Sequence, residues 1–321
     1  MNNKKILIPK DVQDKRLDIF LAEILNLPRS QAKKMIDEGL LTLNGKKPKK
    51  AGDRIKTGDI LEFHQEPKIS KDKKDTEQKL FSEIKIIKET SDFLIIDKPA
   101  GLLVHPTSAG EKNTLITWLL KKYPNIKNVG ENKDRPGIVH RLDKEASGLL
   151  LIAKNQKAFD FFKKQFQDKT VEKKYKVLVY GHFEKEHDRI DFEIDRSKAK
   201  MVCRPKIDKL KLKNVTKIQK GKEALTEFYL DKKFARFSLL DVQIHSGRTH
   251  QIRVHMFASN HPVVGDELYL NRKLIKKVDN QLGRLFLQAY KLAFADLNGE
   301  TVDVEIPLAK DLITFLATLK K

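Results

Sequence analysis

One carboxylate between two cations is the group in this 321-residue chain that is best placed for chemistry. Asp143 lies in the segment His140-Arg141-Leu142-Asp143-Lys144, between a Pro-Gly turn at 136–137 and an aliphatic run at 149–153. The turn and the apolar run predict a fixed backbone on both sides of the acid. A carboxylate held in one direction suits acid–base or nucleophilic catalysis. The alternative is an ordinary solvated surface acid.

A second segment, residues 247–255, offers a partner for this acid. Its pattern predicts a helix that Thr249 caps and that carries Arg253 in the first turn. An arginine on a rigid helix can bind a carboxylate in a fixed geometry, which would keep Asp143 ionised near neutral pH. A surface arginine is the alternative for Arg253.

Other kinds of catalytic site find little support. His245, His250 and His255 recur every five residues, which would spread them around a helix instead of along one face. The chain has one cysteine, Cys203, so it lacks the Cys pair of a base-deaminating zinc site. Serine-nucleophile motifs and phosphate-binding Gly-rich loops are also missing. We therefore predict chemistry without a metal ion or cofactor.

The charge of the chain favours a nucleic acid as partner. The net charge is +21, and residues 196–222 hold eleven Lys or Arg against one acid. That basic segment could follow a phosphate backbone, or it could be a solvated loop. No stretch approaches the roughly 20 apolar residues of a membrane span, and no targeting segment is visible. We expect a cytoplasmic protein without a membrane partner, and a monomer.

Three regions are predicted along the chain: a small unit at 1–65, a charged linker at 66–81 and a larger unit at 82–321. In the first, Asn44-Gly45 predicts a hairpin turn. The larger unit lacks a regular βαβ rhythm, so we predict an α+β fold with a mixed, largely antiparallel sheet. Its predicted strands are 93–96, 149–153, 175–181, 228–230 and 237–244, and its predicted helices are 114–123, 156–166, 249–259 and 312–319.

Four segments of the larger unit resemble, in the same order, the motifs of the ribosomal large subunit pseudouridine synthases. Residues 140–148 are similar to the signature His-Arg-Leu-Asp-Lys-x-Thr-Ser-Gly, and the other three motifs lie at 97–106, 174–181 and 247–255. The small unit, with Arg16-Leu17-Asp18 and Asn44-Gly45, resembles the S4 RNA-binding domain. The resemblance covers nearly the whole chain and implies a synthase-type α+β domain preceded by an S4-like α/β domain.

The resemblance implies that the chain isomerises uridine to pseudouridine in large-subunit ribosomal RNA without a cofactor. Asp143 matches the essential acid and Arg253 its basic partner. Tyr175 matches the tyrosine that stacks on the flipped base and takes part in proton transfer, although a core aromatic is the alternative from the strand pattern alone. Arg141 matches a residue that enters the space vacated in the RNA. Whether the acid attacks the base, adds to the sugar or abstracts a proton stays open.

The S4-like unit also carries candidate RNA contacts. Arg29, Ser30, Lys33 and Lys34 lie at the start of one predicted helix, where cations and backbone amides can meet phosphate. Such contacts position an enzyme on folded RNA without selecting the uridine. Transfer RNA as substrate, and a non-catalytic role in RNA binding or ribosome assembly, are the alternatives.

Two residues depart from the family pattern. Ala146 stands where threonine is usual, and Gln288 stands where histidine is usual. We expect both to alter the surrounding hydrogen bonds without replacing a catalytic group.

Overall fold

A computed structural model describes residues 5–9, 12, 14–25, 29–64, 80–107, 111–197, 200–204, 221–276 and 281–320, with the backbone alone at 29–31, 34 and 204. The chain divides into two compact units, Met1–Thr76 and Glu77–Lys321. Residues 66–79 of the predicted linker and most of the basic segment 196–222 lie outside the described residues, so both stay predictions. Residues 80–81, at the end of the predicted linker, are helical.

The first unit packs two helices against a three-stranded antiparallel sheet in the order β1-β3-β2. The apolar residues of the first helix, Leu17 and Leu21, are fully buried in its core. The elements are β1 (Lys5–Leu7), α1 (Leu17–Ile24), α2 (Arg29–Asp37), β2 (Leu41–Leu43) and β3 (Ile60–Phe63).

The hairpin predicted at Asn44-Gly45 is only partly right. The tight turn exists, because Leu43 and Lys46 exchange two backbone hydrogen bonds around it. The chain beyond the turn forms no paired strand, however, and β2 pairs with β3 after a loop of about 16 residues. The turn is a local structure that a two-residue signal can predict, whereas the strand partner depends on the core.

A nine-stranded sheet forms the centre of the second unit. Its strands are β4 (Lys85–Glu89), β5 (Phe93–Lys98), β6 (Ser147–Ala153), β7 (Glu172–Tyr180), β8 (His187–Ile190), β11 (Thr226–Phe234), β12 (Phe237–Ile244), β13 (Leu287–Ala295) and β14 (Thr301–Glu305). They lie in the order β4-β5-β6-β13-β7-β12-β11-β8, with β14 also paired to β13. A separate antiparallel ribbon contains β9 (Glu193–Arg196) and β10 (Met201–Arg204).

The predicted mixed, largely antiparallel sheet is confirmed. Only the contact between β6 and β13 is parallel among the described strand pairs, and it inserts β13 between β6 and β7. Every residue of β6 is buried, as its continuous aliphatic run predicts for a central strand. The helices are α3 (Leu115–Lys122), α4 (Gln156–Gln167), α5 (Gln251–Ala258) and α6 (Lys310–Ala317), and none of the described helices is both long and apolar enough to cross a bilayer.

Helix α5 begins two residues later than the prediction, and Thr249 does not cap it. The N-cap position belongs to His250, whose φ of 55° is left-handed and whose side chain makes no capping bond. The Gln251 amide fixes the turn instead, because its oxygen accepts hydrogen bonds from the Ser246 hydroxyl and the Arg248 N–H. A side chain that reaches backward from inside the helix has replaced the expected cap.

Two glycines permit close backbone approaches near the carboxylates discussed below. A Cβ on Gly148 would lie 2.1 Å from the Ala289 carbonyl oxygen, where β13 passes β6. Gly265 has a φ of 77°, and a Cβ there would lie 1.9 Å from the Arg284 carbonyl oxygen. Only glycine fits either position without a backbone shift.

Candidate active site

The loop that carries Asp143 is anchored on both sides. Leu142 and Ala146 are buried, and the Gly101 N–H donates a 2.8 Å hydrogen bond to the Lys144 carbonyl. The Asp143 side chain retains 15% of its exposure. The loop is therefore fixed while its carboxylate can still meet a ligand.

A buried lysine binds the backbone of the same loop and of the segment after β5. Lys98 Nζ donates to the carbonyls of Pro99, Leu102 and Lys144, at 2.9, 2.8 and 3.3 Å. Burial lowers the pKa of Lys98 to about 7, and the nearby charge of Asp143 opposes that shift. Three carbonyl acceptors match the three N–H groups of an ammonium, so the contacts favour its charged form.

Arg253 is the centre of the charged cluster. Its guanidinium is buried and donates two hydrogen bonds to Asp266, at 2.7 and 2.9 Å. The same side chain reaches Asp143 at 3.3 Å and Glu145 at 3.4 Å through Nη1. Burial would lower the pKa of Arg253, but the hydrogen bonds and charge of Asp266 raise it overall. Arg253 is thus a permanent cation beside Asp143.

Asp266, which binds Arg253, was not predicted as a site residue from the sequence. One of its oxygens accepts the N–H groups of Leu268 and Tyr269, both at 2.9 Å. Burial would raise the pKa of Asp266, but hydrogen bonds from Arg253 and these amides lower it overall. The available signal was a Gly-Asp pair directly after two valines, which predicts a turn and indicates nothing about catalysis.

Tyr175 is buried on β7 and borders the same pocket as Asp143. Burial and the charge of Asp143 raise the pKa of its hydroxyl, which stays protonated at neutral pH. The two side chains share a pocket of about 70 Å³ with Leu142 and Ile252. A cavity of about 150 Å³ is enough for benzene, so this pocket must widen before it can hold a pyrimidine.

Comparison with known proteins decides the family. Residues 92–258 match the family model described as RNA pseudouridylate synthase, and residues 15–61 match the S4 domain. The chain belongs to the RNA pseudouridine synthase family. This synthase is therefore an isomerase with an S4 RNA-binding domain ahead of its catalytic fold.

Relatives of the synthase cover most of its length. An "Uncharacterized RNA pseudouridine synthase" of Aquifex aeolicus is 37% identical over 289 residues, which are 88% of this chain and 86% of that protein. "Ribosomal large subunit pseudouridine synthase D" of Borreliella burgdorferi is 38% identical over 284 residues, which are 86% and 81%. The structure of Human RNA Pseudouridylate Synthase Domain Containing 4 superposes with a TM-score of 0.60 at 23% identity, over 77% of this chain and 97% of that one. This last likeness shows the fold alone.

Arg141 lies at the mouth of the synthase's pocket. It is exposed, lines the pocket beside Asp143, and its guanidinium lies 3.4 Å from His105 Nε2. Burial, together with the charge of Arg141, lowers the pKa of His105. The structure thus brings Arg141, Asp143 and Tyr175 to one pocket, with Arg253 bound to Asp143 beside it.

The candidate contacts of the S4 domain lie in the other unit. Lys33 is exposed on α2 and lines a cavity of about 790 Å³ with Arg16, Lys49 and Lys50. The side chains of Arg29, Ser30 and Lys34 lie outside the described part, so their roles stay predictions.

The two family departures do not touch the acid. Ala146 is buried beside the loop, and Gln288 binds the Pro307 carbonyl and the Ala309 N–H, both at 2.8 Å. Gln288 therefore joins β13 to the segment before α6. As for metal ligands, no three His, Cys, Asp or Glu side chains in the described ranges form a suitable group.

Proposed function

We propose that the synthase isomerises uridine in large-subunit ribosomal RNA, with Asp143 as its essential acid. The observation that carries the proposal is the ion pair with Arg253 of Asp143, the carboxylate that lines a pocket together with Tyr175. The relative from Borreliella burgdorferi is named for the ribosomal large subunit, and the S4 domain supports a structured RNA substrate.

The reaction exchanges one bond to the sugar for another. The N1–C1′ bond breaks, the C5–C1′ bond forms, C5 loses a proton and N1 gains one, so no oxidant or outside nucleophile is needed. Positive charge develops at C1′ as the first bond breaks, and an ionised Asp143 can stabilise or trap it. Arg253 directs that carboxylate through a charge-assisted contact, because its own charge is permanent.

Tyr175 has a different part in the proposal. A uridine in RNA must leave its stack to reach this pocket, and the Tyr175 ring offers a surface for the extruded base. Because burial raises the pKa of its hydroxyl, Tyr175 donates a hydrogen bond and is a poor proton acceptor. The acceptor for the C5 proton that the pocket favours is the Asp143 carboxylate.

Replacement of Asp143 tests the proposal. Wild-type enzyme, Asp143→Asn and the matched exposed variant Asp303→Asn would be incubated with transcripts of large-subunit RNA, small-subunit RNA and transfer RNA. We expect pseudouridine, mapped by chemical probing, in the large-subunit RNA with wild type and Asp303→Asn but not with Asp143→Asn, while all three bind RNA equally. Full turnover by Asp143→Asn would contradict the catalytic role, and modification of transfer RNA alone would contradict the substrate.

A further inference from the structure

A second cavity, of about 490 Å³, adjoins the pocket of Asp143. The two share Arg141, Tyr175, Ile244 and Arg248 in their walls. Its volume lies in the range of about 300 to 1,000 Å³ that is typical of small-ligand sites. The cavity therefore has room for a group that the 70 Å³ pocket cannot hold.

The wall of this cavity is strongly basic. Its described lining includes six cationic side chains and no Asp or Glu; the six are Arg135, Arg141, Lys163, Lys169, Lys173 and Arg248. Lys163 is neutralised in part by an ion pair with Glu131. A cavity wall whose charges all have one sign attracts an anion.

Lys173 is the most unusual of these cations. It is 8% exposed, yet among the described residues its ammonium has neither a carboxylate nor a hydrogen-bond acceptor. Its close contact is the ring of Phe166, whose centroid lies 5.2 Å from Nζ. Burial lowers the pKa of Lys173 to about 8, because the charged form is poorly solvated. An ammonium that lines a cavity and has no anionic partner among the described residues can pair with an anionic ligand.

Strand geometry places this lysine next to Tyr175. Side chains alternate across a strand, so Lys173 and Tyr175 share one face of β7, about 6.6 Å apart. Lys174 is on the opposite face, where it pairs with Glu172 at 2.7 Å. Lys173 and Tyr175 both line the cavity, whereas Lys174 borders a different one.

An aromatic pair completes the wall. The rings of His140 and Phe166 are stacked, with centroids 4.5 Å apart and planes inclined by 24°. His140 Nε2 accepts the Leu151 N–H at 2.9 Å, and burial lowers the pKa of His140 to about 3, so the ring is neutral. Neutral aromatic surfaces beside cations are the combination on which single-stranded RNA is held.

We propose that this cavity binds the nucleotide next to the target uridine, with Lys173 on its phosphodiester and the His140–Phe166 pair against its base. The inference rests on the proposed function, since it assumes that Tyr175 receives a uridine from RNA. It adds a subsite that reads the RNA beside the modified position.

Lys173→Met and its neighbour Lys174→Met make a matched pair of variants. Both would be measured for RNA affinity at several salt concentrations and for single-turnover pseudouridine formation, with the large-subunit transcript that wild type modifies. We expect Lys173→Met to bind about ten-fold more weakly and to lose about one phosphate contact from its salt dependence. Lys174→Met should remain within two-fold of wild type, and Lys173→Arg should restore most of the affinity.

Neutral methylphosphonate linkages test the contact from the RNA side. Placed singly on either side of the target uridine, one of them should weaken wild-type binding about ten-fold and leave Lys173→Met unaffected. Equal affinities and salt slopes of the two methionine variants would overturn the inference, as would a wild type that tolerates both neutral linkages. This RNA arm needs only wild-type enzyme, so it decides the matter even if Lys173→Met does not fold. An inactive wild type would instead refute the proposed function.

Discussion

Arg253 is bound more closely by Asp266 than by Asp143. The guanidinium makes two short hydrogen bonds to Asp266 and one contact of 3.3 Å to Asp143. Asp266 thus orients the arginine, and the arginine in turn orients the acid. Glu145 contacts the same guanidinium, so three carboxylates share one arginine.

Asp266→Asn should slow the reaction without weakening RNA binding. The amide keeps the size of the side chain but loses the charge that directs Arg253, and outer contacts of this kind are worth about 10- to 100-fold in activity. We expect kcat to fall in that range and KM to change less than two-fold. Steady-state kinetics on the transcript that wild type modifies would measure both.

The exposed variant Asp303→Asn provides the control and should keep the kcat of wild type. A kcat for Asp266→Asn equal to that of wild type would contradict the positioning role, and a loss of RNA affinity equal to the loss of kcat would show that Asp266 is merely structural.

Tyr175→Phe should retain much more activity than Tyr175→Leu. Phenylalanine keeps the aromatic surface and loses one hydrogen bond, about 1 kcal/mol or close to ten-fold, whereas leucine also loses base stacking, worth about 1–3 kcal/mol. Single-turnover rates from pH 6 to 9 would measure the effect. Because the pKa of Tyr175 is raised, its hydroxyl stays protonated across this range. We therefore expect the rates of wild type and Tyr175→Phe to depend on pH in the same way. A ten-fold rise per pH unit that vanishes in the phenylalanine variant would identify Tyr175 as the proton acceptor.

Lys98→Met should destabilise the catalytic unit and impair turnover together. The change takes the Nζ donor away from three carbonyls, of which that of Lys144 keeps the Gly101 N–H, at a cost of about 2 kcal/mol or more. One of these carbonyls belongs to Lys144, so the Asp143 loop should loosen as well. Urea unfolding and kcat would be measured beside Lys88→Met, an exposed change that should stay within about 0.5 kcal/mol of wild type. A folded, fully active Lys98→Met would contradict this account.

The stability of the catalytic unit should rise with pH between about 4 and 6.5, in part through His255. This ring is fully buried and contacts Thr226 Oγ1 at 2.9 Å and the Phe192 carbonyl at 3.0 Å. Burial lowers the pKa of His255 to about 4. Between pH 4 and about 6.5 the His255 ring is protonated in the unfolded chain but neutral in the folded chain. This contribution to the free energy of unfolding is therefore fully present above about pH 6.5 and is lost as the pH falls towards 4.

His255→Gln isolates this contribution. The variant should lose up to about 3 kcal/mol of the pH dependence that wild type shows between pH 4.5 and 7.5. Urea unfolding at the two pH values would measure it. His140, whose pKa burial also lowers, should account for part of the slope that remains. An unchanged slope in the variant would mean that His255 is not the group responsible.

Local patterns in the sequence predicted the elements but not all of their connections. The aliphatic run at 149–153 predicted a buried strand, and the structure extends it to Ser147–Ala153. The parallel partner of that strand, β13, could not be predicted, because no local pattern distinguishes strands that pair across about 140 residues. Thr249 failed as a cap for a similar reason, since contacts of the Gln251 side chain with Ser246 and Arg248 fix the turn before the helix and leave His250 at the N-cap position.

The candidate site shows the same division. Asp143 and Arg253 could be paired in advance, because each lies in a recognisable motif and their charges are complementary. Asp266 and Lys173 could not be singled out. Asp266 lies in an ordinary turn. Lys173 is one of many lysines in the sequence, and only the folded structure shows that it is buried.

The position of β13 between β6 and β7 has a consequence for protein synthesis. The Asp143 loop leads into β6 and Tyr175 lies on β7, so the strand that spaces them is translated after Arg253 as well. A chain still emerging from the ribosome can hold all three residues and yet have them at undefined distances. Catalytic competence therefore has to wait until β13 has been translated, and a truncated chain that stops before residue 287 should not modify the RNA around it.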